Sequence, residues 1–198
     1  KKFADQLQTP LLQLFHVYED SGCVGGTTAE ATITLIPKEG KDHSSPKNYR
    51  PNSLINLDCK VYAKVLAKWL EEVLPLLIGP HQVGFLKGRL SNDNIRLFWH
   101  ILQISKSKLT PVAAIALDAE KAFDKVAWPF LKTALSCFNL GEHFIKMIMA
   151  LYSNPSAKIN SCGVLSDSFP LQQGTRQGFP LSPSLFLLAI ELLLLSLN

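Results

Sequence analysis

The sequence predicts an α+β protein, and three patterns in its 198 residues support this fold class. Apolar residues recur with the period of roughly 3.6 residues that marks a helix, most clearly over residues 56–77. Residues 31–36 are rich in β-branched residues and stop at Pro37, and residues 157–171 alternate loosely around Gly163, so both segments are predicted as strands in hairpins. Residues 112–117 form an apolar run, which is typical of a strand buried on both faces. A hydrophobic content of 47% supports a substantial core.

The N-terminal half is predicted to place a strand hairpin between helices. Gly22 and the glycines after it end the first helix, and Pro37 ends the first strand. Asn56 is the expected N-cap of the most regular helix, and Ser91 or Asn92 is that of the next one. In chain order, the predicted elements are a helix at 5–18, a strand at 31–36, a helix at 56–77 and a helix from 91 or 92 to 105.

The C-terminal half is predicted to combine one central strand with helices and a hairpin. Trp128-Pro129 opens a helix, because proline is favoured in the first helical turn. Ser182 is a candidate cap for the last helix, which follows a polar loop punctuated by glycines at 172–183. In chain order, the predicted elements are a strand at 112–117, helices at 128–141 and 142–152, a hairpin at 157–171 and a helix at 185–197.

Basic residues are concentrated in two parts of the chain, although the net charge is only +4. Residues 38–68 carry seven Lys or Arg against three acids, and residues 81–110 carry five against one. This distribution indicates a polyanionic partner. A solvated basic face without any ligand is an equally good interpretation of the charges alone.

The four cysteines are far apart and show no spacing typical of a zinc site or a disulfide framework, which predicts a reducing compartment. The N-terminus lacks the apolar segment of a secretion signal, and no apolar run reaches 18 residues. We therefore expect an intracellular protein, cytoplasmic or nuclear, that is neither secreted nor inserted in a membrane.

Asp118 directly follows the apolar run, and two interpretations of it are open at this point. A buried strand that ends in an acid delivers a carboxylate to a sheet edge, where it is available for chemistry. Asp is also a preferred N-cap, so the same residue could cap a turn that begins near Lys121.

Two further groups of side chains are candidates for binding anions. Lys38 and Arg50 flank the first predicted hairpin, and an ammonium and a guanidinium together suit phosphate oxygens. The loop at 81–89 places Phe85, Lys87 and Arg89 among glycines, so its backbone can approach a nucleic-acid strand closely.

Four sequence blocks, in this order, resemble those of the non-LTR, LINE-type retrotransposon reverse transcriptases, and the likeness covers nearly the whole chain. The blocks are Ile36-Pro37-Lys38 with Asn48-Tyr49-Arg50-Pro51 (fingers), Gln82-Val83-Gly84-Phe85 with Gly88-Arg89 (fingers to palm), Leu117-Asp118-Ala119-Glu120-Lys121-Ala122-Phe123-Asp124 (metal binding) and Gly174-Thr175-Arg176-Gln177-Gly178 with Pro180-Leu181-Ser182-Pro183 (nucleotide positioning).

The resemblance implies a right-hand polymerase fold with helices packed on an antiparallel sheet. Residues 1–110 would be mainly fingers and residues 111–198 a partial palm, with the thumb absent. The implied activity is that of an RNA-directed DNA polymerase, which joins deoxynucleoside triphosphates to a DNA primer on an RNA template. Two Mg²⁺ ions, or Mn²⁺ in their place, assist this transfer in the complete family site.

The same resemblance assigns roles to individual residues. Asp118 would be the catalytic carboxylate and a metal ligand, together with the backbone carbonyl of Ala119. Phe123 would lie under the sugar and exclude a 2′-hydroxyl. Asp124 is expected to be structural, capping the turn that follows it. The remaining implied nucleotide contacts are Lys38, Arg50, Gln173 and Arg176.

The chain departs from the family pattern in two residues and in extent. Asn52 stands where an apolar residue is usual, and Phe179 stands where a small Cys is usual, so the ring is expected to narrow the nucleotide pocket. The paired-aspartate motif of the family is missing before Asn198. We therefore expect the isolated chain to be a truncated, inactive polymerase domain. The alternative is a non-catalytic remnant that binds nucleic acid through its basic fingers.

Overall fold

The computed structural model describes residues 3–161, 163–176 and 178–196 of the chain. It combines six α-helices with a five-stranded sheet in this part of the chain, which confirms the predicted α+β class. The helices are α1 (Ala4–Ser21), α2 (Leu57–Leu77), α3 (Ser91–Lys108), α4 (Trp128–Cys137), α5 (Glu142–Ala150) and α6 (Ser182–Ser196). The strands are β1 (Glu30–Pro37), β2 (Tyr49–Leu54), β3 (Ser156–Ser161), β4 (Val164–Leu165) and β5 (Phe169–Pro170).

The sheet has the order β2-β1-β3-β4, and β5 also pairs with β3. The pairs β1–β2, β3–β4 and β3–β5 are antiparallel, as the hairpin predictions require. The β1–β3 pair is parallel, so the sheet is mixed and the expectation of an antiparallel sheet is wrong. The reason is connectivity, because α2 to α5 lie between these two strands and a long crossover lets the chain return in the same direction.

The hydrophobic core lies between α2 and the C-terminal helices. The buried face of α2 follows the helical period and consists of Cys59, Tyr62, Ala63, Leu66, Ala67, Leu70 and Leu74. Leu131 and Leu135 of α4, Ile148 of α5 and the first half of α6 close the core from the other side. Full burial of a Leu or Ile side chain stabilises a fold by about 1.5–3 kcal/mol, so this face is a major source of stability.

The strand predicted at 112–117 is not formed. Residues 110–119 have no regular secondary structure and are all exposed, with Ile115 and Leu117 at 82% and 89% of their full accessibility. A strand requires a neighbour for its backbone N–H and C=O groups, and the sheet of the described residues offers this segment none. The apolar composition of the run is therefore not sufficient to make it a strand.

The helix α3 forms as predicted, but none of its own residues is buried in the described structure. Its apolar side chains, including Phe98 and Trp99, are exposed. The last helix begins at Ser182, and the predicted end at residue 197 lies outside the described residues. Within the described chain, no helix is long and apolar enough to cross a membrane.

Candidate nucleotide and nucleic-acid site

The loop that precedes α6 packs against the turn that precedes α4. The Gly174 N–H donates to the Val126 carbonyl at 2.8 Å, and the Thr175 N–H donates to the Phe123 carbonyl at 2.7 Å. The indole Nε1 of Trp128 donates to the Gly174 carbonyl at 3.0 Å. These bonds hold the nucleotide-positioning block beside the C-terminal end of the metal-binding block.

Gly174 permits this close approach. Its φ is +94°, and an added Cβ would lie 2.8 Å from the Asp124 carbonyl oxygen and 3.0 Å from the Asp124 Cα. Both the backbone conformation and the space exclude a side chain.

A small cavity lies between the β1–β2 hairpin and this loop. Its volume is about 230 Å³, which is less than the ~300 Å³ of the smaller ligand pockets. Two of the predicted nucleotide-binding residues, Gln173 and Arg176, are in its wall. The lining is Ile33, Pro51, Ser53, Asp124, Leu171, Gln173, Gly174, Thr175 and Arg176.

The Arg176 side chain is less accessible to a ligand than an exposed side chain would be. Its side chain is 7% exposed, and its Nη2 donates to the Ala29 carbonyl at 2.8 Å. Burial lowers the pKa of the guanidinium, while the nearby Cys59 and Tyr152 oppose this shift. Burial likewise raises the pKa of the Cys59 thiol to about 11, against the effect of Arg176. The guanidinium is thus anchored inside the protein, and Arg176 forms part of the cavity wall.

Asp124 was expected to be structural, and the structure gives it a second environment. Its N–H donates to the Lys121 carbonyl at 2.9 Å, which is a backbone bond within the turn at 120–125, and the side-chain cap of the following turn stays a prediction. Asp124 is half-buried and also lines the cavity beside Gln173. Burial raises the pKa of the Asp124 carboxyl, and Lys121 partly offsets this effect. The position of Asp124 at the end of the metal-binding block was the signal that could have identified it as a cavity residue.

Asp118 and Ala119 lie on the exposed segment 110–119. The structure does not support the sheet-edge interpretation of Asp118, because no strand ends there. A turn is present at residues 120–125, as the alternative interpretation of Asp118 as a cap requires. A carboxylate and a carbonyl are the hard oxygen donors that Mg²⁺ prefers. In the described part of the chain, no three His, Cys, Asp or Glu side chains come together as a metal site.

Lys38 and Arg50 are on the β1–β2 hairpin, as predicted. Arg50 is exposed and pairs in register with Ile36, two residues from Lys38. The Lys38 Nζ donates to the Lys47 carbonyl at 2.9 Å. The hairpin thus places both cations on neighbouring strand ends, away from the closed side of the core.

Three aromatic rings form a row at the edge of the site. The rings of Phe123 and Phe186 are 4.8 Å apart, and Phe85 meets Phe123 edge-on at 6.1 Å. Phe85 is 64% exposed and has a φ of +56°. Lys87 in the same turn is exposed. The structure therefore brings together two residues, Phe85 and Phe123, that were predicted from separate blocks.

Arg89 was expected to contact nucleic acid, and its guanidinium is instead used inside the protein. It donates to main-chain carbonyls at the end of α2 and in the following turn. The last carbonyls of a helix have no partners within the helix and carry partial negative charge, so they attract a cation that lies close to them in space. Local sequence could not reveal this proximity.

The two departures from the family pattern have separate outcomes. Phe179 is buried in the core, so the expectation that its ring narrows the nucleotide pocket is wrong. Asn52 is half-buried, and its Oδ1 would be 3.1 Å from a Cβ at Gly178, so these two residues lie side by side. Gln177 of the same block lies outside the described residues.

Comparison with known proteins agrees with this architecture. The family described as "Reverse transcriptase (RNA-dependent DNA polymerase)" matches residues 36–198. The chain is 34% identical over 161 residues to the "Transposon TX1 uncharacterized 149 kDa protein" of Xenopus laevis, covering 81% of this chain and 12% of that protein. It is 32% identical over 166 residues to the "Retrovirus-related Pol polyprotein from type-1 retrotransposable element R2" of Popillia japonica, covering 83% of this chain and 23% of that protein.

A third relative is the "Probable RNA-directed DNA polymerase from transposon BS" of Drosophila melanogaster, which is 34% identical over 99 residues and covers 48% of this chain and 11% of that protein. The chain belongs to the reverse transcriptase family, and its relatives are proteins of non-LTR retrotransposons. The recognition made from the four blocks is confirmed. The chain spans between 11% and 23% of the length of these three relatives.

Proposed function

We propose that this chain is the fingers, residues 1–110, and part of the palm, residues 111–198, of an RNA-directed DNA polymerase. In this role it binds an RNA template with a DNA primer and contributes part of the site for a deoxynucleoside triphosphate. Membership of the reverse transcriptase family over residues 36–198 supports the proposal. The observation that carries it is the packing of the 172–176 loop on the 123–128 turn, which joins two family blocks around one cavity.

The roles that we propose for individual residues follow from the exposure and the charge of their side chains. The β1–β2 hairpin carries the cations of Lys38 and Arg50, and the loop at 81–89 carries the cation of Lys87. Phosphates can reach all three side chains at these positions. Gln173 and Arg176 meet the nucleotide in the cavity. Phosphate contacts of Lys and Arg supply most of the affinity of proteins for nucleic acid.

Mg²⁺, or Mn²⁺ in its place, belongs to the proposal as the metal cofactor of the family. Asp118 and the Ala119 carbonyl would contribute two of its oxygen ligands. Since the described residues hold no cluster of three ligating side chains, we expect the isolated chain to bind nucleic acid but to extend primers no faster than background.

The first test is binding of a fluorescently labelled RNA–DNA hybrid at several salt concentrations. The proposal predicts that log K falls linearly with log salt, with a slope of about −0.9 for each phosphate contact. Lys87→Ala should reduce the slope by about 1, whereas Lys132→Ala, an exposed lysine on α4, should not change it. A flat salt dependence would contradict nucleic-acid binding.

The second test is primer extension on an RNA template with Mg²⁺, in which we expect the isolated chain to give no extension above background. Extension above background would contradict this expectation, and extension that also survives Asp118→Ala would contradict the role given to this carboxylate. Glu120→Ala is the matched control, because Glu120 is an equally exposed acid two residues away.

A further inference from the structure

The turn at residues 79–88 is tied at both ends by one side chain. Arg89 Nη1 donates to the carbonyls of Gly79 and Gln82, the latter at 2.7 Å. Its Nη2 donates to the Ile78 carbonyl at 2.9 Å and to the Pro75 carbonyl at 3.5 Å. The guanidinium of Arg89 therefore joins the last turn of α2 to the start of the following turn. The backbone N–H of Arg89 closes the other end of that turn.

A second side chain also holds the start of this turn. The Gly79 N–H donates to Oε1 of Glu191 on α6 at 2.8 Å. Glu191 is 3% exposed, and its Oε2 has no hydrogen-bond partner among the described residues. An added Cβ on Gly79 would lie 2.8 Å from Oε1, so only glycine lets the carboxylate come this close. A buried carboxylate with one bond is costly, and an apolar residue would fill this helix position at lower cost.

The fixed turn carries Phe85 at its tip. The Gly84 N–H donates to Oε1 of Gln82 at 3.1 Å, and Leu86 is buried in the core, so the residues on both sides of Phe85 are fixed. Phe85 has a positive φ, which a phenylalanine adopts only where its surroundings enforce it. Its ring is largely exposed and rests edge-on against Phe123.

We propose that Arg89 and Glu191 are positioning residues that clamp the 79–88 turn between α2 and α6 and so present the Phe85 ring as a stacking surface for a base of a single nucleic-acid strand. An exposed aromatic ring with a lysine two residues away, Lys87, is the arrangement that binds single strands by base stacking and phosphate attraction. The stacking part of this inference rests on the proposed function, whereas the clamp concerns this chain's own structure.

The test combines two measurements on the 198-residue chain. Hydrogen exchange of the amides at 83–89 reports on the clamp, and anisotropy of a labelled single-stranded RNA reports on stacking. Glu191→Leu removes the acceptor, and we expect exchange in the turn to accelerate by about tenfold or more while exchange in α4 is unchanged. RNA binding should weaken by about fivefold or more, as expected for the loss of one stacked base.

Glu191→Gln keeps an oxygen acceptor for Gly79 and should restore both measurements to within about twofold of the unmodified chain. In a Phe85→Ala background, Glu191→Leu should have no further effect on RNA binding, since the ring through which the clamp acts is gone. If Glu191→Leu does not fold, Arg89→Lys is the substitute, because an ammonium cannot span all four carbonyls.

Unchanged exchange in the turn of Glu191→Leu would refute the clamp, whether or not RNA binds. An equal loss of RNA binding in the presence and absence of Phe85 would refute positioning through the ring. Absence of RNA binding by the unmodified chain would refute the proposed function and the stacking role together, and the exchange data alone would then decide on the clamp.

Discussion

Gly174 is the residue at which the two family blocks of the candidate site come closest. Its positive φ and the backbone of Asp124 leave no room for a side chain. Because bonds from residues 174 and 175 hold the loop to the turn, the geometry of the cavity depends on this one position.

We predict that Gly174→Ala lowers the free energy of unfolding by about 3 kcal/mol or more, since it adds a steric clash with fixed backbone to the cost of a positive φ. Gly163→Ala is the control, because Gly163 has a φ of +88° but open space around it, and it should cost only about 1–2 kcal/mol. Urea denaturation measures both. Equal losses would contradict the close approach at Gly174.

Asp124 gives a prediction with a defined pH dependence. Burial raises the pKa of its carboxyl in the folded chain, so ionisation opposes folding as the pH rises above the unfolded value of about 3.9. Asp124→Asn should therefore stabilise the chain at pH 7, by less than about 1 kcal/mol because the group is partly hydrated, and should give no gain near pH 3. Thermal unfolding at both pH values is the measurement, and a gain that is larger in acid would contradict the burial argument.

Single residues also show which side-chain hydrogen bonds cannot be predicted from the sequence. Arg89 was predicted to contact nucleic acid from its place in a loop with glycines, and Arg176 was predicted to contact the nucleotide from the family resemblance. In the structure both guanidinium groups also bond carbonyls of residues that only the tertiary fold brings near, such as Ala29, which is 147 positions away from Arg176. Glu191 is an acid within the leucine-rich helix α6, and its bond to Gly79 could not be inferred from local pattern.

At the scale of elements, helices were predictable because their periodicity is local. The predicted bounds of α2, residues 56–77, differ by one residue from the observed Leu57–Leu77. The parallel pairing of β1 with β3 joins segments more than 100 positions apart, so no local pattern encodes it. The apolar run at 112–117 has the composition of a buried strand, but strand formation also needs a paired neighbour.

The contribution of α2 to the core is testable with two leucines of the same helix. Leu66→Ala removes a fully buried side chain and should lower the free energy of unfolding by about 2–5 kcal/mol. Leu76→Ala, at an exposed position, should change it by about 0.5 kcal/mol or less. Similar losses at the two positions would mean that α2 does not pack with the face described.

At the scale of the whole molecule, the burial of apolar side chains differs strongly between parts of the chain. The core between α2 and the C-terminal helices is closed, whereas α3 and the 110–119 segment carry their apolar side chains into solvent. Exposed apolar surface of this kind promotes association, so we expect the chain to have low solubility.

Hydrogen exchange tests this difference directly. Amides at 112–119 should exchange at nearly the rate of an unstructured peptide, whereas those in the middle of α2 should be protected by about a thousandfold or more. Strong protection at 112–119 would show a paired strand there and contradict the described architecture.

The central claim is that the cavity between the β1–β2 hairpin and the 172–176 loop holds part of a deoxynucleotide, and titration of a deoxynucleoside triphosphate with Mg²⁺ tests it most directly. Gln173 lines this cavity, whereas the neighbouring Gln172 does not. We predict that Gln173→Ala raises the Kd by about tenfold, equivalent to about 1.4 kcal/mol, and that Gln172→Ala changes it by less than about twofold. Equal effects of the two substitutions, or no saturable binding by the unmodified chain, would contradict the account.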